Sequence, residues 1–332
     1  MANTSFPIID MHCDLLSYLS EHKGAHYANT EDIGCALPFM QEGNVKLQVL
    51  AVYSPSESGS TVYAQKQIPA FESLIAQQPF KAVTQAAKLP HTLTNGGVGV
   101  VVAIENASGL AEEDDSLDKV FERLDHFIEK TGRIIYISFT HHYENRFGGG
   151  NYATVGLKPD GEKLLDYMSG KGIAIDLSHA SDALAYDILN YTEKRSLKVP
   201  VIASHSNFRT VWNHVRNLTD EMAQEIIRRK GLIGMNFLRE YVDRENPDTL
   251  IEHVLYGLEQ GGEDVLCFGA DYFYVHAISD PNRFPLYFPA HDNASSYPHV
   301  LDQLREKGLS ESFLEKLAYK NVMDFVERSW EQ

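Results

Sequence analysis

The sequence is poor in cysteine, and its few cysteines are not arranged to bind metal or to cross-link a small fold. Its 332 residues include three cysteines, Cys13, Cys35 and Cys267, and no two of them form a C-x-x-C pair. Disulfide scaffolds and thiolate zinc sites both need more cysteines at closer spacing. The scarcity of cysteine therefore argues against both and favours a reducing compartment.

Net positive charge and long apolar runs are also missing. The chain has 29 Lys and Arg residues against 46 Asp and Glu residues, and its formal net charge is −17. Without a basic cluster, nucleic acid and anionic membranes are poor partners. No apolar run approaches the roughly 18 residues that a membrane span needs, and the N-terminal residues lack the basic and apolar regions of a signal peptide. We therefore expect a cytoplasmic protein that binds neither nucleic acid nor membranes.

No low-complexity stretch or long linker divides the sequence. The longest loop-like segment, residues 276–299, is rich in Pro, Asn, His and aromatic residues, which predicts a structured lid or rim. With 43% hydrophobic residues, the chain can bury one large core. We therefore predict a single domain over residues 1–332.

Short runs rich in Val, Ile and Phe recur along the chain, and amphipathic stretches lie between them. The runs predict eight strands, at residues 6–12, 45–54, 98–105, 133–141, 172–179, 199–206, 232–238 and 265–271. The amphipathic stretches predict helices at residues 64–78, 116–130, 161–170, 181–196, 219–230 and 248–260, with Ser116, Ser181 and Thr219 as N-caps. Apolar strands that alternate with helices indicate an α/β fold with a parallel sheet, and eight such units predict a (β/α)8 barrel.

Reactive side chains follow most of the predicted strands. In a (β/α)8 barrel, catalytic groups sit at the C-terminal ends of the strands, and the residues found there are His12, Asp14, Glu105, His141, His179, His205 and Asp271. His12 and Asp14 are two positions apart, so an extended strand places them on one face. Imidazole and carboxylate ligands without thiolate suit zinc or a similar divalent ion. The number of ligands predicts two metal ions, about 3.5–4 Å apart, with Glu105 as the shared ligand.

The motifs around these residues resemble those of the membrane dipeptidase (renal dipeptidase) family of zinc peptidases, within the amidohydrolase-like barrels. A D-x-H-x-D motif spans Asp10 to Asp14, and a D-L-S-H-x-S motif spans Asp176 to Ser181. The S-H-S motif around His205 is followed by Arg216 and Asn217, as in the family. Weaker matches are Ile104 with Glu105, Thr140 with His141, and Gly269 with Asp271.

The resemblance implies a dipeptidase with two Zn²⁺ ions per chain that hydrolyses dipeptides with a free C-terminal carboxylate through a metal-bridging hydroxide. It implies five metal ligands: His12 and Asp14 on one ion, His179 and His205 on the other, and Glu105 between them. It further implies four residues that act on the substrate: His141 at the carbonyl, Arg216 at the carboxylate, Tyr241 in the pocket wall and Asp271 as proton shuttle.

The sequence also departs from the family pattern. Asn106 and Ala107 stand at glycine positions, Phe273 stands at an aspartate position, and the loop HYENRFGGGN after His141 is unusual. Two other functions therefore stay open: a metal-dependent amidohydrolase on the same barrel that acts on a non-peptide amide or lactam, and a non-catalytic metal-binding homologue. Whether the chain forms a homodimer also stays open.

Overall fold

The structure is a computed structural model that describes residues 6–330. Within that range the chain forms nine strands: β1 Ile8–Cys13, β2 Val45–Tyr53, β3 Phe80–Ala82, β4 Val98–Glu105, β5 Ile134–Ser138, β6 Ala174–Asp176, β7 Val201–Ile202, β8 Ile233–Met235 and β9 Leu266–Phe268. Residues 1–5 and 331–332 of the predicted domain lie outside the described residues, and a single domain over 1–332 stays a prediction.

Eight of these strands form a nearly closed parallel barrel, which confirms the predicted fold class. Their order is β7-β6-β5-β4-β2-β1-β9-β8, and every ladder between them is parallel. The barrel closes between Ala203, just after β7, and Ile233 of β8, through a single parallel bridge. The short strand β3, which the sequence analysis does not predict, pairs only with the start of β4.

Fourteen α-helices surround the barrel within the described residues. They are α1 Leu15–Glu21, α2 Leu37–Glu42, α3 Ser60–Gln65, α4 Gln67–Ile75, α5 Leu89–Thr94, α6 Leu117–Thr131, α7 Pro159–Met168, α8 Asp182–Lys194, α9 Asp220–Arg228, α10 Arg239–Val242, α11 Thr249–Glu259, α12 Tyr297–Glu306, α13 Glu311–Glu315 and α14 Asn321–Trp330. The helix predicted at 64–78 is two helices, α3 and α4. In the part of the chain that the structure describes, every helix is too short or too polar to cross a bilayer.

Two of the three predicted helix caps make their hydrogen bonds. Ser181 Oγ accepts from the backbone of Leu184 at the start of α8, and Thr219 Oγ1 accepts from Met222 at the start of α9. The prediction for Ser116 is wrong in this respect, because its side chain makes no cap hydrogen bond although its backbone is extended at the N-cap of α6.

The later strands are shorter than predicted. The hydrogen-bonded parts of β5 to β9 end at Ser138, Asp176, Ile202, Met235 and Phe268, whereas strands were expected to 141, 179, 206, 238 and 271. Apolar residues beyond these ends, such as Phe139, Leu177 and Phe237, remain buried, so the hydrophobic pattern continues after the ladder stops. His141, His179, His205 and Asp271 consequently lie on loops that leave the strands, not on the strands themselves.

Side chains alternate between the barrel interior and the surrounding helices. In β4, Val101 and Ala103 belong to an inner apolar cluster that also includes Ile9 and Ile135, and α14 packs against this cluster through Phe325. Residues with the same parity share a face of a strand. Glu105, the last residue of β4, therefore continues the inward row and carries its carboxylate to the C-terminal mouth of the barrel.

Candidate metal centre and active site

Glu105 lies at the centre of the predicted ligands. Its Oε1 is 2.9 Å from His179 Nε2 and 3.6 Å from His205 Nε2. Its Oε2 is 3.6 Å from His12 Nε2. The two oxygens of one carboxylate thus face different imidazoles, and the rings of His12 and His205 stack with their centroids 3.7 Å apart.

The other predicted groups complete two clusters around this carboxylate. His12 Nε2 lies 3.9 Å from Asp14 Oδ2 and 3.6 Å from Asp271 Oδ1. On the other side, the Nε2 atoms of His179 and His205 are 3.0 Å apart. Ligand atoms of His12, Asp14 and Asp271, and likewise those of His12, Glu105 and His205, all lie within 4.8 Å of one another. The structure therefore brings all five predicted metal ligands and Asp271 together.

The hydrogen bonds behind two of the histidines leave the Nε2 atoms as the nitrogens that face the site. Tyr136 donates its hydroxyl hydrogen to Met11 O (3.0 Å), so it can only accept from His12 Nδ1, 2.7 Å away. Ser204 donates to Asp176 Oδ2 (2.7 Å) and is 2.6 Å from His205 Nδ1. Each ring therefore carries its proton on Nδ1 and directs the Nε2 lone pair into the cluster, as metal-ligating histidines do.

Several buried atoms at the site have no hydrogen-bond partner among the described residues. They include His12 Nε2 and Asp14 Oδ1. An unpaired buried polar atom costs free energy unless something else satisfies it. A divalent cation would satisfy both a ring nitrogen and a carboxylate oxygen here, so the residues fit a metal site.

The electrostatics lead to the same conclusion. Burial, and then the neighbouring carboxylates, raise the pKa of Asp14 and of Glu105 well above their ordinary values. Burial also lowers the pKa of His12 to about 3 and holds the pKa of His179 and of His205 well below the usual range. Charged carboxylates and charged imidazoles are thus both disfavoured. Bound cations would favour the charged form of the carboxylates. They would still bind the imidazoles in their neutral form.

Two further aspartates support the site from behind. Asp176 accepts hydrogen bonds from Ser138 Oγ (2.7 Å), Ser204 Oγ (2.7 Å), and the backbone nitrogens of Ser178 and Ser204. Asp10 accepts from Tyr297 OH (2.6 Å) and from the backbone nitrogens of His12 and Ala270. Both carboxylates join the end of their own strand to the end of a neighbouring one, and so fix the positions of the histidines.

Asp271 has a strained backbone and a well-defined side-chain position. Its φ is +65°, and that of His179 is +69°, a region that non-glycine residues seldom occupy. Asn236 Nδ2 donates to Asp271 Oδ2 at 2.8 Å, which leaves Oδ1 directed towards His12. Strain of this kind persists where the surrounding structure holds a residue for function.

A cavity of about 260 Å³ opens above the predicted ligands, slightly smaller than the range of about 300–1,000 Å³ for small-molecule sites. His141 and Tyr241 line it, as the sequence analysis predicts, together with Asp14, Glu105, His179 and Asp271. The remaining wall consists of Ser17, His22, Tyr53, Tyr63, His142, Leu238, Phe273, Tyr274, Ala277, Ile278 and Arg283. The last three belong to the segment that was predicted to form a rim.

Arg216 is buried next to this cavity instead of projecting into it. Its Nη1 donates to Ser206 Oγ (2.7 Å) and its Nη2 to the His205 carbonyl (3.2 Å), while its Nε has no partner among the described residues. The guanidinium carbon is 5.5 Å from the centre of the Tyr241 ring, which forms part of the cavity wall. Arg216 thus packs on the loop that carries His205 and lies behind the cavity wall, against the ring of Tyr241.

The loop after His141 is fixed by close backbone packing. A Cβ atom on Gly150 would lie 2.3 Å from the His141 carbonyl oxygen, so only glycine fits there. Asn106, at a family glycine position, has φ +75° and donates to Ser54 O, while its side-chain oxygen accepts from Asn145. This departure from the family pattern therefore joins two loops and removes no ligand.

The sequence analysis misses several residues of the site. Tyr136 and Asn236 orient His12 and Asp271, and Tyr53 and Arg283 line the cavity. A signal existed for two of them, because Tyr53 and Asn236 lie at the ends of the two strands for which no titratable residue was named. No local pattern distinguishes Arg283, which lies in the long loop.

A parallel barrel with histidines and carboxylates clustered at the strand C-termini defines a metal-dependent hydrolase fold. Residues 2–329 match the family model of membrane dipeptidase, peptidase family M19, and the chain belongs to that family. The resemblance noted from the motifs is thereby confirmed.

Individual relatives are distant in sequence but close in fold. The chain is 25% identical to Dipeptidase tcpJ of Claviceps purpurea over 236 residues, which is 68% of this chain and 50% of that relative, so it spans about half of that curated protein. A crystal structure of a dipeptidase of metallopeptidase family M19 has a TM-score of 0.84 at 21% identity and covers 99% of this chain and 100% of the other. A metallopeptidase from Rhodobacter sphaeroides, solved with a phosphinate mimic of the dipeptide L-Ala-D-Ala, has a TM-score of 0.80 at 19% identity and covers 98% and 100%.

Proposed function

We propose that the protein is a binuclear zinc dipeptidase that hydrolyses dipeptides with a free C-terminal carboxylate. The observation that carries this proposal is the position of Glu105, whose two oxygens face His179 and His205 on one side and His12 on the other. A carboxylate in that position suits two metal ions that share a ligand. His12 and Asp14 would hold one ion, and His179 and His205 the other.

Bound there, two divalent ions would supply a water activated near neutral pH and a Lewis acid for the scissile carbonyl. The protein's own contribution begins with Asp271. Burial raises the pKa of Asp271 to about 6, although the Arg216 guanidinium opposes the shift. A carboxylate of that pKa can accept a proton from the attacking water and return it to the leaving amine, as a general base and then acid must.

His141 and Arg216 would position the substrate. Burial lowers the pKa of His141 well below its usual value, so its ring is neutral and can donate one hydrogen bond to the carbonyl oxygen. The unpartnered Nε of Arg216 is a buried donor that a substrate carboxylate could satisfy, alongside Tyr241. A guanidinium fork reads a carboxylate in a way that lysine cannot reproduce.

The compartment and the assembly also remain proposals. Cys13, Cys35 and Cys267 are free and buried, which supports action in a reducing compartment such as the cytoplasm. Whether the chain forms a homodimer stays open.

The test is hydrolysis of a dipeptide library, with L,L and L,D members, by the zinc-loaded protein. C-terminally amidated copies and N-acyl amides or lactams serve as the comparison set. The proposal expects cleavage of free dipeptides and weak or no cleavage of the comparison set. Faster cleavage of a non-peptide amide or lactam would replace it with the amidohydrolase alternative, and no hydrolysis at all would favour a non-catalytic metal-binding homologue.

A further inference from the structure

We propose that Arg283 makes the protein selective for dipeptides whose C-terminal residue has an acidic side chain. The inference rests on the proposed dipeptidase function and adds a specificity to it. It assigns the substrate's α-carboxylate to Arg216 and the side-chain carboxylate of the same residue to Arg283.

Arg283 offers an unused guanidinium fork at the cavity. It ends the short 3₁₀ turn Pro281–Arg283, lines the cavity, and its side chain is 27% exposed. Its Nε is 2.9 Å from Glu240 Oε2, but the contact is too bent for a hydrogen bond and acts as an ion pair. Within residues 6–330, neither terminal nitrogen of Arg283 donates a hydrogen bond, so the edge that matches a carboxylate is available.

Glu240 holds Arg283 in place without neutralising this side of the cavity. Its Oε1 also faces Arg244 Nη2 at 3.8 Å and His214 Nε2 at 4.0 Å, so two guanidiniums share one carboxylate. Arg239, next to Glu240, is fully engaged in binding backbone carbonyls, including that of Pro285 at 2.7 Å. Among the described residues that line the cavity, Arg283 is the only Lys or Arg, and the carboxylate that pairs with it is shared with Arg244.

Arg283 and Arg216 lie on the same side of the cavity. The carboxylate of Glu240, which pairs with Arg283, is 4.0 Å from His214 Nε2, and His214 Nδ1 accepts a hydrogen bond from the Arg216 backbone nitrogen at 3.1 Å. The ring of His214 lies 5.0 Å from that of Tyr241, and the Arg216 guanidinium carbon lies 5.5 Å from the same tyrosine ring. A residue whose α-carboxylate reaches Arg216 therefore extends its side chain along the wall that carries Arg283.

A guanidinium at this wall favours a substrate with a C-terminal Glu over one with a C-terminal Gln. A carboxylate accepts two parallel hydrogen bonds from the fork and gains an ion pair, whereas the isosteric carboxamide has one acceptor oxygen and no charge. A hydrogen bond to a charged group contributes more binding free energy than one between neutral groups. Because Arg283 is partly exposed, only part of that difference in binding free energy is expected here. We expect wild type to prefer Glu over Gln at the C-terminal position by about 10-fold in kcat/KM.

The experiment compares Ala-Glu, Ala-Gln, Ala-Ala and Ala-Lys as substrates of the zinc-loaded enzyme. Arg283→Gln should abolish the preference for Ala-Glu over Ala-Gln. The readout is the ratio of kcat/KM for these two substrates within each enzyme, with Ala-Ala as the common reference, so a general change in rate does not affect it. Arg283→Glu should reverse the selectivity towards Ala-Lys. Arg244→Gln is the matched control, because it removes the other exposed partner of Glu240 without changing the cavity wall, and it should keep the preference.

The possible results distinguish failure of this specificity from failure of the proposed dipeptidase function. Equal kcat/KM for Ala-Glu and Ala-Gln in wild type overturns the specificity while cleavage of Ala-Ala leaves the dipeptidase intact. A preference that survives in Arg283→Gln and Arg283→Glu assigns it to another residue and overturns the inference as well. If none of the four dipeptides is cleaved, the dipeptidase proposal fails, and this inference fails with it.

Discussion

The mouth of the barrel contains two layers of buried carboxylates that differ in how they are satisfied. In the inner layer, Asp10 and Asp176 accept hydrogen bonds from serines, a tyrosine and backbone nitrogens. In the outer layer, Asp14, Glu105 and Asp271 face one another and the imidazoles, and Asp14 Oδ1 has no partner among the described residues. Both layers are buried, so burial alone does not identify the site.

The difference shows what distinguishes a structural carboxylate from a ligand. Burial raises the pKa of Asp10 and of Asp176 as well, but their hydrogen bonds oppose that rise. Around Asp14 and Glu105, like charges add to it. The inner layer is complete within the protein alone, whereas the outer layer needs an external cation. Substitutions in the two layers should therefore have different consequences.

Glu105→Gln in the outer layer should have the largest effect. A neutral amide cannot replace a carboxylate that two cations share, so both sites should lose metal affinity. The loss at each site should exceed the 10–100-fold that follows removal of a residue that only hydrogen-bonds to a ligand. Metal analysis of protein purified without chelator should show close to two ions in wild type and fewer than one in the variant. Retention of both ions would refute the shared-ligand assignment, as would wild-type stoichiometry that stays at one after zinc loading.

Asp271→Asn tests the outer-layer group that is assigned to chemistry. Because asparagine keeps an acceptor for Asn236 but cannot take a proton, metal content should persist while kcat falls by roughly 10²–10⁴, the range for a general base. Steady-state kinetics and metal analysis on the same preparation separate the two. Near-normal kcat would mean that another group carries the proton.

Arg216 packs against the loop that carries His205, since it donates to Ser206 and to the His205 carbonyl while its Nε stays unpartnered among the described residues. Loss of a charged hydrogen bond costs about 1.5–3 kcal/mol. Wild type should therefore discriminate between dipeptides and their C-terminal amides by about 10- to 150-fold in kcat/KM. Arg216→Ala should cleave both almost equally. Wild type that hydrolyses amides as well as acids would remove Arg216 from substrate binding, and metal analysis of the variant controls for displacement of His205.

Asp176→Asn tests the inner layer. The amide oxygen can still accept from the backbone nitrogens of Ser178 and Ser204, but the NH₂ then faces the Ser138 and Ser204 hydroxyls, which donate to a carboxylate oxygen in wild type. These buried hydrogen bonds to a charged acceptor are lost, so the free energy of unfolding should fall by about 2–3 kcal/mol. Urea denaturation of the apo and zinc-loaded forms measures this loss. The metal affinity should fall at most about 100-fold, through Ser204 and His205. A variant of unchanged stability would contradict the structural role.

His253 offers the smallest test, because it is a buried histidine with a hydrogen-bond partner on each ring nitrogen and it belongs to none of the possible metal clusters among the described residues. Phe208 N donates to its Nδ1 and its Nε2 donates to Val242 O, while burial lowers its pKa from 6.5 to about 4. The unfolded chain therefore binds this proton at higher pH than the folded protein. Stability from this group is complete above about pH 6.5 and declines as the pH falls towards 4, by up to about 2 kcal/mol at pH 5.

His253→Asn retains an acceptor for Phe208 and does not titrate in this range. Denaturant unfolding between pH 5 and pH 8, on the zinc-free protein, should show a shallower decline in the variant than in wild type. The absolute stability of the variant does not enter the comparison, because only the slope with pH reports the histidine. Parallel slopes would show that His253 does not carry the effect.

The sequence by itself predicted the barrel and the side chains that meet at its mouth. Alternation of apolar strands and amphipathic helices is a local property, and in a parallel barrel every strand delivers its end to one rim. His12, Glu105, His179 and His205 could therefore be assigned to one site before any coordinates. The ends of β5 to β9 could not be predicted, because the buried apolar residues that follow them resemble strand residues.

Only the tertiary structure decided how the ligands are oriented and what surrounds them. Tyr136 meets His12 across 124 positions of sequence, and Asn236 meets Asp271 across 35. Arg283 is turned towards the cavity by an ion pair with Glu240, from an element distant in sequence. Such contacts depend on which strands become neighbours in the barrel and on which loops fold back over its mouth. A local pattern of residue types specifies neither.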